Sequence, residues 1–419
     1  MKLGLWVLAA LAAGIGFGAF AGQANSAALS GLAQVFVTLG DLWLDALRMT
    51  LVPLIVSVLI SAVAAMADAA SAGSLARRAL ILFAGLILLA GLFSILATDA
   101  LLALWPVAPE TARALVDGAS GAASATPTQA PALDMASWAR SLVPTNIVAA
   151  AAEDAVLPLV AFACLFGFAL TRLPAERRAP LVGFFQASAD AMIVIVMWVL
   201  ALAPIGVFGL ATSLGVNTGL GSIGALAHYV AIVCAVTIAS IVVIVAVGMF
   251  AGGFRPAGFL RALAPVQVIA ASTQSSLASL PAMLTAALQA LEIPPRTAEF
   301  VLPLAVAVFR FTSPVANLAV ALFLAHLYGV APTVPQLAAA LAVAFAVSVS
   351  SVGLPGQTSF FASVAPICFA LGVPVELLPL LLAVEVIPDV FRTIGNVSAD
   401  MTATALLHRS EKKATEASS

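Results

Sequence analysis

Five polar residues stand out in the last strongly apolar part of this 419-residue chain: Glu385, Asp389, Arg392, Asn396 and Asp400. At about 100° per residue their spacing confines them to a sector of roughly 80° on one helix face. Leu380–Val384, Val386, Ile387, Val390 and Phe391 surround them, so the face is not that of a solvated peripheral helix. A guanidinium keeps its charge and offers a planar fork to a carboxylate, which makes Arg392 the best anchor for an anionic solute. Asp389, on the same face, can receive an ammonium group. Together they suit a zwitterion with an extra carboxylate, meaning aspartate or glutamate. A purely structural ion-pair cluster is the competing interpretation. Another charge, Arg310, lies about ten residues inside its own apolar stretch, deeper than a snorkelling arginine needs. Ionisable groups at such depth are costly and by default functional.

The elements that position these groups must lie in a membrane. The chain is 63% hydrophobic and 9% charged, with a mean hydropathy of +1.15, whereas a soluble domain usually carries about 25% charge. A net charge of −2 suggests no strongly charged partner surface. Cys164, Cys234 and Cys368 are scattered in apolar runs without metal or redox spacing, and read as packing residues. No glycine loop for a nucleotide and no HExxH or GxSxG pattern is present, so neither an ATP motor nor an intramembrane enzyme is expected.

Stretches of about 20 apolar residues cross the hydrocarbon. They fall at Leu3–Ala21, Ala33–Met66, Ala79–Leu104, Ala155–Leu170, Met192–Leu214, Ala225–Ala251, Phe300–Leu327 and Leu377–Leu407. Val266–Leu288 and Ala342–Leu371 differ: each is interrupted midway, around Ser275–Pro281 and Ser348–Gly356. Freed backbone inside a membrane must be buried in protein or face water, and paired broken segments mark the midplane site of secondary transporters. Both are read as re-entrant hairpins. Ser275, Ser276 and Ser279 supply hydroxyls at one tip, and Gly353, Pro355 and Gly356 shape the other, where glycine lets backbone approach a ligand.

With eight spans, one set of loops collects Lys2, Arg77, Arg78, Arg172, Arg177, Arg178, Arg255, Arg261, Arg296, Arg409, Lys412 and Lys413. The opposite set holds Arg113 and Arg140, with Arg48 near a span end. That asymmetry puts both termini in the cytoplasm. The first segment is read as a retained span, with a cleaved signal peptide as the alternative. Pro106–Pro131 is expected to be an outside loop of little structure, and residues 408–419 a solvated, frayed cytoplasmic tail. His228 and His326 are expected near the membrane interface.

The string from Glu385 through Pro388-Asp389, Arg392-Thr393 and Asn396 to Asp400 resembles the last-span motif of the glutamate transporter family, the dicarboxylate/amino acid:cation symporters. Leu51-Val52-Pro53, Val143-Pro144-Thr145-Asn146, Val156-Leu157-Pro158, Ala203-Pro204-Ile205-Gly206-Val207-Phe208, Thr273-Gln274-Ser275-Ser276 with Leu280-Pro281, and Gly353-Leu354-Pro355-Gly356 are similar to family segments in the same order, over roughly residues 40–405. The resemblance implies an all-α membrane protein of eight transmembrane helices and two re-entrant hairpins, assembled as a homotrimer in a cell inner membrane. It implies a scaffold mainly from spans 1, 2, 4 and 5. A transport domain mainly from spans 3, 6, 7 and 8 and both hairpins (about 266–288 and 342–371) would carry solute by an elevator motion. On matching positions it implies Arg392 for the solute's side-chain carboxylate, Asp389 for its amino group and Asn396 for its main-chain carboxylate. Ser275, Ser276, Gly353, Pro355 and Gly356 would close over the solute, and Thr393 and Ser313 complete the set. The dicarboxylate branch usually lacks an acid at Asp389, so an amino acid is favoured.

The departures bear on coupling. Where the family's seventh span carries Asn-Met-Asp-Gly-Thr, this chain has Phe309-Arg310-Phe311-Thr312-Ser313. From Ile81 to Phe93 no side chain contains oxygen, although the family places Tyr and Thr-Ser donors in the third span. At the first tip Leu277 replaces a family serine. Arg310 then sits where the family keeps sodium, with Asp400, Asp389 or Glu385 as its partner, acting as a tethered cation. Asp400, Asn396, Glu385 and Arg310 are the coupling residues. No metal site or cofactor is assigned, and the coupling ion is a proton, sodium or none, with Glu385 or Asp400 as a proton carrier. The expected partners are a small acidic solute and the lipid bilayer, not nucleic acid. A same-fold transporter of another dicarboxylate or of a neutral amino acid, and a degenerate solute sensor, are the alternatives.

Overall fold

The computed structural model describes residues 2–24, 26–71, 73–108, 112–113, 115–116, 143, 145–153, 156–218, 222–350 and 356–416. In chain order the helices are α1 (Lys2–Gln23), α2 (Ala27–Arg48), α3 (Leu51–Ser71), α4 (Ser74–Leu104), α5 (Ile147–Ala152), α6 (Val156–Leu170), α7 (Ala175–Ala201), α8 (Ala203–Thr218) and α9 (Ser222–Ala251). They continue with α10 (Pro256–Thr273), α11 (Ser276–Thr285), α12 (Pro295–Val308), α13 (Thr312–Leu327), α14 (Val334–Ser350), α15 (Gly356–Leu371), α16 (Leu378–Val384) and α17 (Val386–Glu416). A π turn, Ala286–Ala290, extends α11.

Among the described residues, six helical stretches are long and apolar enough to cross a membrane: Trp6–Gln23, Ala27–Ala65, Ser74–Leu104, Ala175–Ala201, Ile223–Ala251 and Pro295–Leu327. The last is the most enclosed, and nearly every side chain of α13 is buried. Long apolar helices with wide exposed faces, such as α7 with Phe184, Met197 and Trp198 outward, present those faces to lipid or to another copy.

Several expected spans are corrected from continuous to broken, and proline accounts for most of the breaks. Met192–Leu214 divides at Leu202, because Pro204 has no N–H to give the preceding turn. The carbonyl of Val199 at this break accepts from the indole N–H of Trp43 at 2.8 Å. Ala33–Met66 divides at Met49–Thr50, ahead of Pro53. Leu377–Leu407 changes direction at Glu385, where Pro388 leaves the carbonyl of Val384 without its helical donor. The first hairpin breaks only at Gln274–Ser275, and Pro281 lies inside α11. Gln274 is the hinge, in the left-handed region at φ 51°. The second hairpin is α14 and α15 packed side by side; residues 351–355, with Gly353 and Pro355, lie outside those described. Most of the expected loop Pro106–Pro131 also lies outside them.

The expected fraying after Leu407 is not seen among the described residues, which end at Glu416. α17 runs to Glu416, Arg409 Nη1 donates to the Ala251 carbonyl at 2.9 Å, and Thr297 Oγ1 donates to Glu411 Oε2 at 2.7 Å.

Two groups of helices share the core. α1 and α2 pack along α8, and α3 packs on α6 and α7. At the α2–α8 crossing, a Cβ on Gly209 would collide with the Phe36 carbonyl and Gly40, so glycine permits the close approach. The second group centres on α17, against which α9, α10 and α12 pack, with α13 between α4, α9 and α15.

Candidate functional site

α12 and α13 are one apolar segment interrupted at its centre. Pro314 cannot donate to the carbonyl of Arg310, so the helix opens there and Ser313 N–H takes that carbonyl at 3.0 Å. Phe309 leaves helical geometry at φ −104°, ψ 81°. A break at this depth needs partners for its backbone, and α17 supplies one. Asn396 Oδ1 accepts from the Thr312 N–H at 3.0 Å and lies 2.9 Å from Thr312 Oγ1, which is also 2.9 Å from the Arg392 carbonyl oxygen. The approach requires Gly395, because a Cβ there would collide with Thr312 Cγ2.

The five polar residues do share one buried face. Asp400 is fully buried, Glu385 is 1% exposed, and Asp389, Thr393 and Asn396 are buried beside them. Their engagements were only partly foreseen. Arg392, expected to be open to a solute, points Nη2 to Glu385 Oε1 at 2.6 Å and donates from Nη1 to Asn317 Oδ1 at 2.7 Å. The Glu385 contact is charge against charge, since the atoms do not meet hydrogen-bond angles. Glu385 Oε2 accepts from the Tyr229 hydroxyl at 2.9 Å. Asn317 Nδ2 donates to Ser313 Oγ at 3.2 Å, tying the network back to the break. Thr393 Oγ1 is directed to the Asp389 carbonyl.

Asn317 and Tyr229 were not singled out from the sequence. Tyr229 is one of only two tyrosines, fully buried in an apolar helix, and that rarity was the available signal. Asn317 is an amide deep in α13, 2% exposed.

Arg310 sits at the break, partly buried, and its charge interacts with those of Asp389 and Asp400 and is opposed by Arg392. Among the described residues, neither carboxylate oxygen of Asp400 has a hydrogen-bond partner, and the charge it feels is that of Arg310. On either side the environment is aromatic. Phe309 stacks on Phe83 of α4 with centroids 4.6 Å apart and planes at 10°, and Phe311 lies 6.2 Å from Phe309. The oxygen-free run Ile81–Phe93 therefore meets the oxygen-free flanks of Arg310 directly. A bare cation needs oxygen donors, and the side chains of this contact offer none.

At the first hairpin tip, Ser275 Oγ accepts from the Ala278 N–H at 3.2 Å, capping α11. Ser276 is buried, Ser279 Oγ donates to the Ser275 carbonyl, and Leu277 is exposed. α10 and α11 both pack on α17, and Gln267 Nε2 donates to Ser398 Oγ at 2.9 Å. Gly356 opens α15. His228 is half-buried and stacked on the exposed Trp105 with centroids 4.2 Å apart; His326 is exposed. Among the described residues, no group of three or more His, Cys, Asp or Glu side chains is placed to hold a metal ion.

The profile described as the sodium:dicarboxylate symporter family matches residues 3–410. The chain is 28% identical over 376 residues to a proton/glutamate-aspartate symporter of Escherichia coli (strain K12), covering 89% of this chain and 85% of the relative. It is 26% identical over 373 residues to a proton/sodium-glutamate symport protein of Bacillus caldotenax, covering 89% and 87%. It is also 28% identical over 449 residues to the human neutral amino acid transporter B(0), covering 98% and 81%.

Proposed function

Since the chain belongs to the sodium:dicarboxylate symporter family, a family of membrane transporters and not enzymes, we propose that it carries aspartate or glutamate across a cell inner membrane without requiring sodium. The observation that carries this reading is the buried face on which Arg392, Asp389 and Asn396 lie together beside the broken α12–α13 segment. Arg392 takes the side-chain carboxylate, Asp389 the ammonium group, and the amide N–H groups of Asn396 the main-chain carboxylate. Thr393, Ser313 and the tip residues Ser275, Ser276, Gly353, Pro355 and Gly356 complete the enclosure. The names of the Escherichia coli and Bacillus caldotenax relatives, which specify glutamate, support the choice of solute.

The sodium-independent part rests on the Phe83–Phe309 stack and on Arg310 between Asp389 and Asp400. A fixed guanidinium supplies the electrostatics of a bound cation but cannot move down a gradient, so it contributes no driving force. Accumulation then needs a proton.

The transport motion is an elevator, in which the helices around α17 slide against α1–α3 and α6–α8 within a homotrimer whose termini are cytoplasmic. An apolar cavity of about 610 Å³ supports a sliding boundary; Leu59 and Val63 of α3, Val160 of α6, Ile81 of α4 and Val343 and Ala346 of α14 help line it. One polar tie crosses the boundary elsewhere, the Arg48–Glu376 ion pair at 2.9 Å, and it must part for the slide.

A second reading has one observation in its favour. Arg392 is already neutralised by Glu385, which would suit a neutral amino acid, and the human relative is named as a neutral amino acid transporter. Purified protein in sealed proteoliposomes, given sodium, potassium and pH gradients separately, tests the proposal. Uptake of labelled aspartate or glutamate under a pH gradient in sodium-free buffer is expected. Saturable uptake abolished when choline replaces sodium overturns the sodium-independent part, and uptake of alanine or serine in preference to both acids overturns the solute. Binding without uptake under any gradient would make the protein a sensor.

A further inference from the structure

We infer that Glu385 is the proton carrier of the transport cycle, and that it takes up its proton because the solute's carboxylate displaces it from Arg392. The inference rests on the assignment of Arg392 as the ligand of that carboxylate. The geometry of the network leads to it. Glu385 is 1% exposed and its two oxygens have two partners, Arg392 Nη2 at 2.6 Å and the Tyr229 hydroxyl at 2.9 Å. Arg392 Nη1 is held separately by Asn317, so the guanidinium edge facing Glu385 is the one an incoming carboxylate must win.

Displacement leaves Glu385 with a single neutral hydrogen-bond donor, in a position closed to water. A buried charge stripped of its partner is far costlier than a buried neutral acid. The groups whose charges reach Glu385 do not rescue it. From α9 these are Tyr229 and Cys234, and from α17 they are Arg392, now engaged by the solute, and Asp389, which repels a second carboxylate. Glu385 therefore binds one proton as the solute binds. On release to the cytoplasm the solute carboxylate leaves Arg392, the proton leaves Glu385, and the ion pair closes again.

The charge arithmetic is definite. One acidic amino acid carries a net charge of −1 and enters with one proton, so the loaded step moves no net charge. The empty carrier returns with its Glu385–Arg392 pair re-formed. Transport is then driven by a pH gradient and is indifferent to membrane potential. The arrangement also sets specificity, because a solute without the second carboxylate cannot open the pair and takes up no proton.

Titration calorimetry of the full-length protein with L-aspartate, in buffers of different ionisation enthalpy, counts protons taken up on binding. The expected count is about one in wild type and about none in Glu385→Gln, with the wild-type Kd rising about tenfold per pH unit on the alkaline side. Infrared difference spectra of wild type should show a protonated carboxyl band appearing on aspartate addition. A wild-type count near zero, or a count near one that survives Glu385→Gln, overturns the inference; the first outcome needs no variant to fold. Absence of any aspartate or glutamate binding overturns the solute assignment instead. In proteoliposomes an acid-outside gradient should accumulate aspartate, whereas a potassium diffusion potential with valinomycin should not. Accumulation driven by the potential alone also overturns it.

Discussion

The polar face of α17 and the break between α12 and α13 touch through Thr312, Gly395 and Asn396, yet they compare with the family segments they resemble in opposite ways. On α17 the positions that the family resemblance assigns to solute recognition keep their polar character: Asp389, Arg392, Thr393, Asn396 and Asp400. At the break, Phe309 and Phe311 stand where the family resemblance expects oxygen donors, Phe309 is stacked on Phe83, and Arg310 lies between them in sequence. Had the break simply decayed, Asp400 would be a fully buried carboxylate facing a neutral hole. Arg310 instead gives it an opposite charge. On the proposed assignments, holding a solute and holding a cation become separable tasks even in adjoining backbone, with Arg310 supplying the charge of an absent ion.

The sharpest way to break the comparison is to remove the anchor on the retained side. Arg392→Ala leaves Glu385 buried beside Tyr229 alone, and the solute without its guanidinium. Losing one partner of a buried charge pair costs about 3–5 kcal/mol, or about 10²–10⁴-fold in affinity. Aspartate and glutamate binding, read by calorimetry, should fall by at least that factor while size-exclusion behaviour is unchanged. Affinity near wild type would place recognition elsewhere.

On the altered side, Arg310→Met should weaken solute binding by roughly 10–10²-fold, since Asp389 and Asp400 lose a shared opposite charge. Sodium should not restore it, because Phe309 and Phe311 remain. Adding Phe309→Asn and Phe311→Asp to Arg310→Met sharpens the test by returning oxygen donors to the gap. Sodium-enhanced binding should appear in the triple variant and not in the single one. A single variant rescued by sodium would mean that backbone carbonyls already form a cation site.

Asp389 separates amino acids from plain dicarboxylates by a smaller margin. An ammonium group compensates this carboxylate, whereas succinate adds repulsion. Competition against labelled aspartate should rank glutamate above succinate and malate by about tenfold or more, and Asp389→Asn should narrow the gap. Succinate competing better than either amino acid would remove the amino-acid reading.

How much of this was legible depended on whether the cause was local. The shared face of Glu385–Asp400 follows from helical periodicity alone and is present as read. Charges inside apolar runs singled out Arg310 and Arg392, and the structure places both, partly buried, among the carboxylates of α17. Hairpin breaks follow from clustered Ser, Gly and Pro, but the position of the first, at Gln274–Ser275, is narrower than the composition suggested, since Pro281 fits an early helical turn. The interruption at Phe309–Phe311 was also within reach, as Pro314 removes a helical donor there. What could not be read were partners from distant segments. Tyr229 and Glu385 are 156 positions apart, Asn317 and Arg392 are 75 apart, and no periodicity within one helix places them together. The docked tail was missed for the same reason: Arg409 and Glu411 are ordinary solvated residues until Ala251 and Thr297 are brought beside them.

Thr312 offers the mildest test, and it probes the joint itself. Its hydroxyl has one proton and two acceptors at 2.9 Å, Asn396 Oδ1 and the Arg392 carbonyl, so it links the first residue of α13 to two turns of α17. Its N–H bond to Asn396 survives substitution, because that donor belongs to the backbone. Thr312→Val preserves shape while deleting the hydroxyl, and a net hydrogen bond is worth about 1 kcal/mol, or about fivefold in affinity. If the joint matters because it orients Asn396 and Arg392, the loss should apply about equally to aspartate and glutamate, with proton uptake per solute unchanged. Thr312→Ser should recover it, since the hydroxyl returns. Thr312→Val binding both solutes as wild type does would mean that the backbone bond alone holds the two regions in register. The contrast between them would then be one of neighbours that share a boundary and no energy.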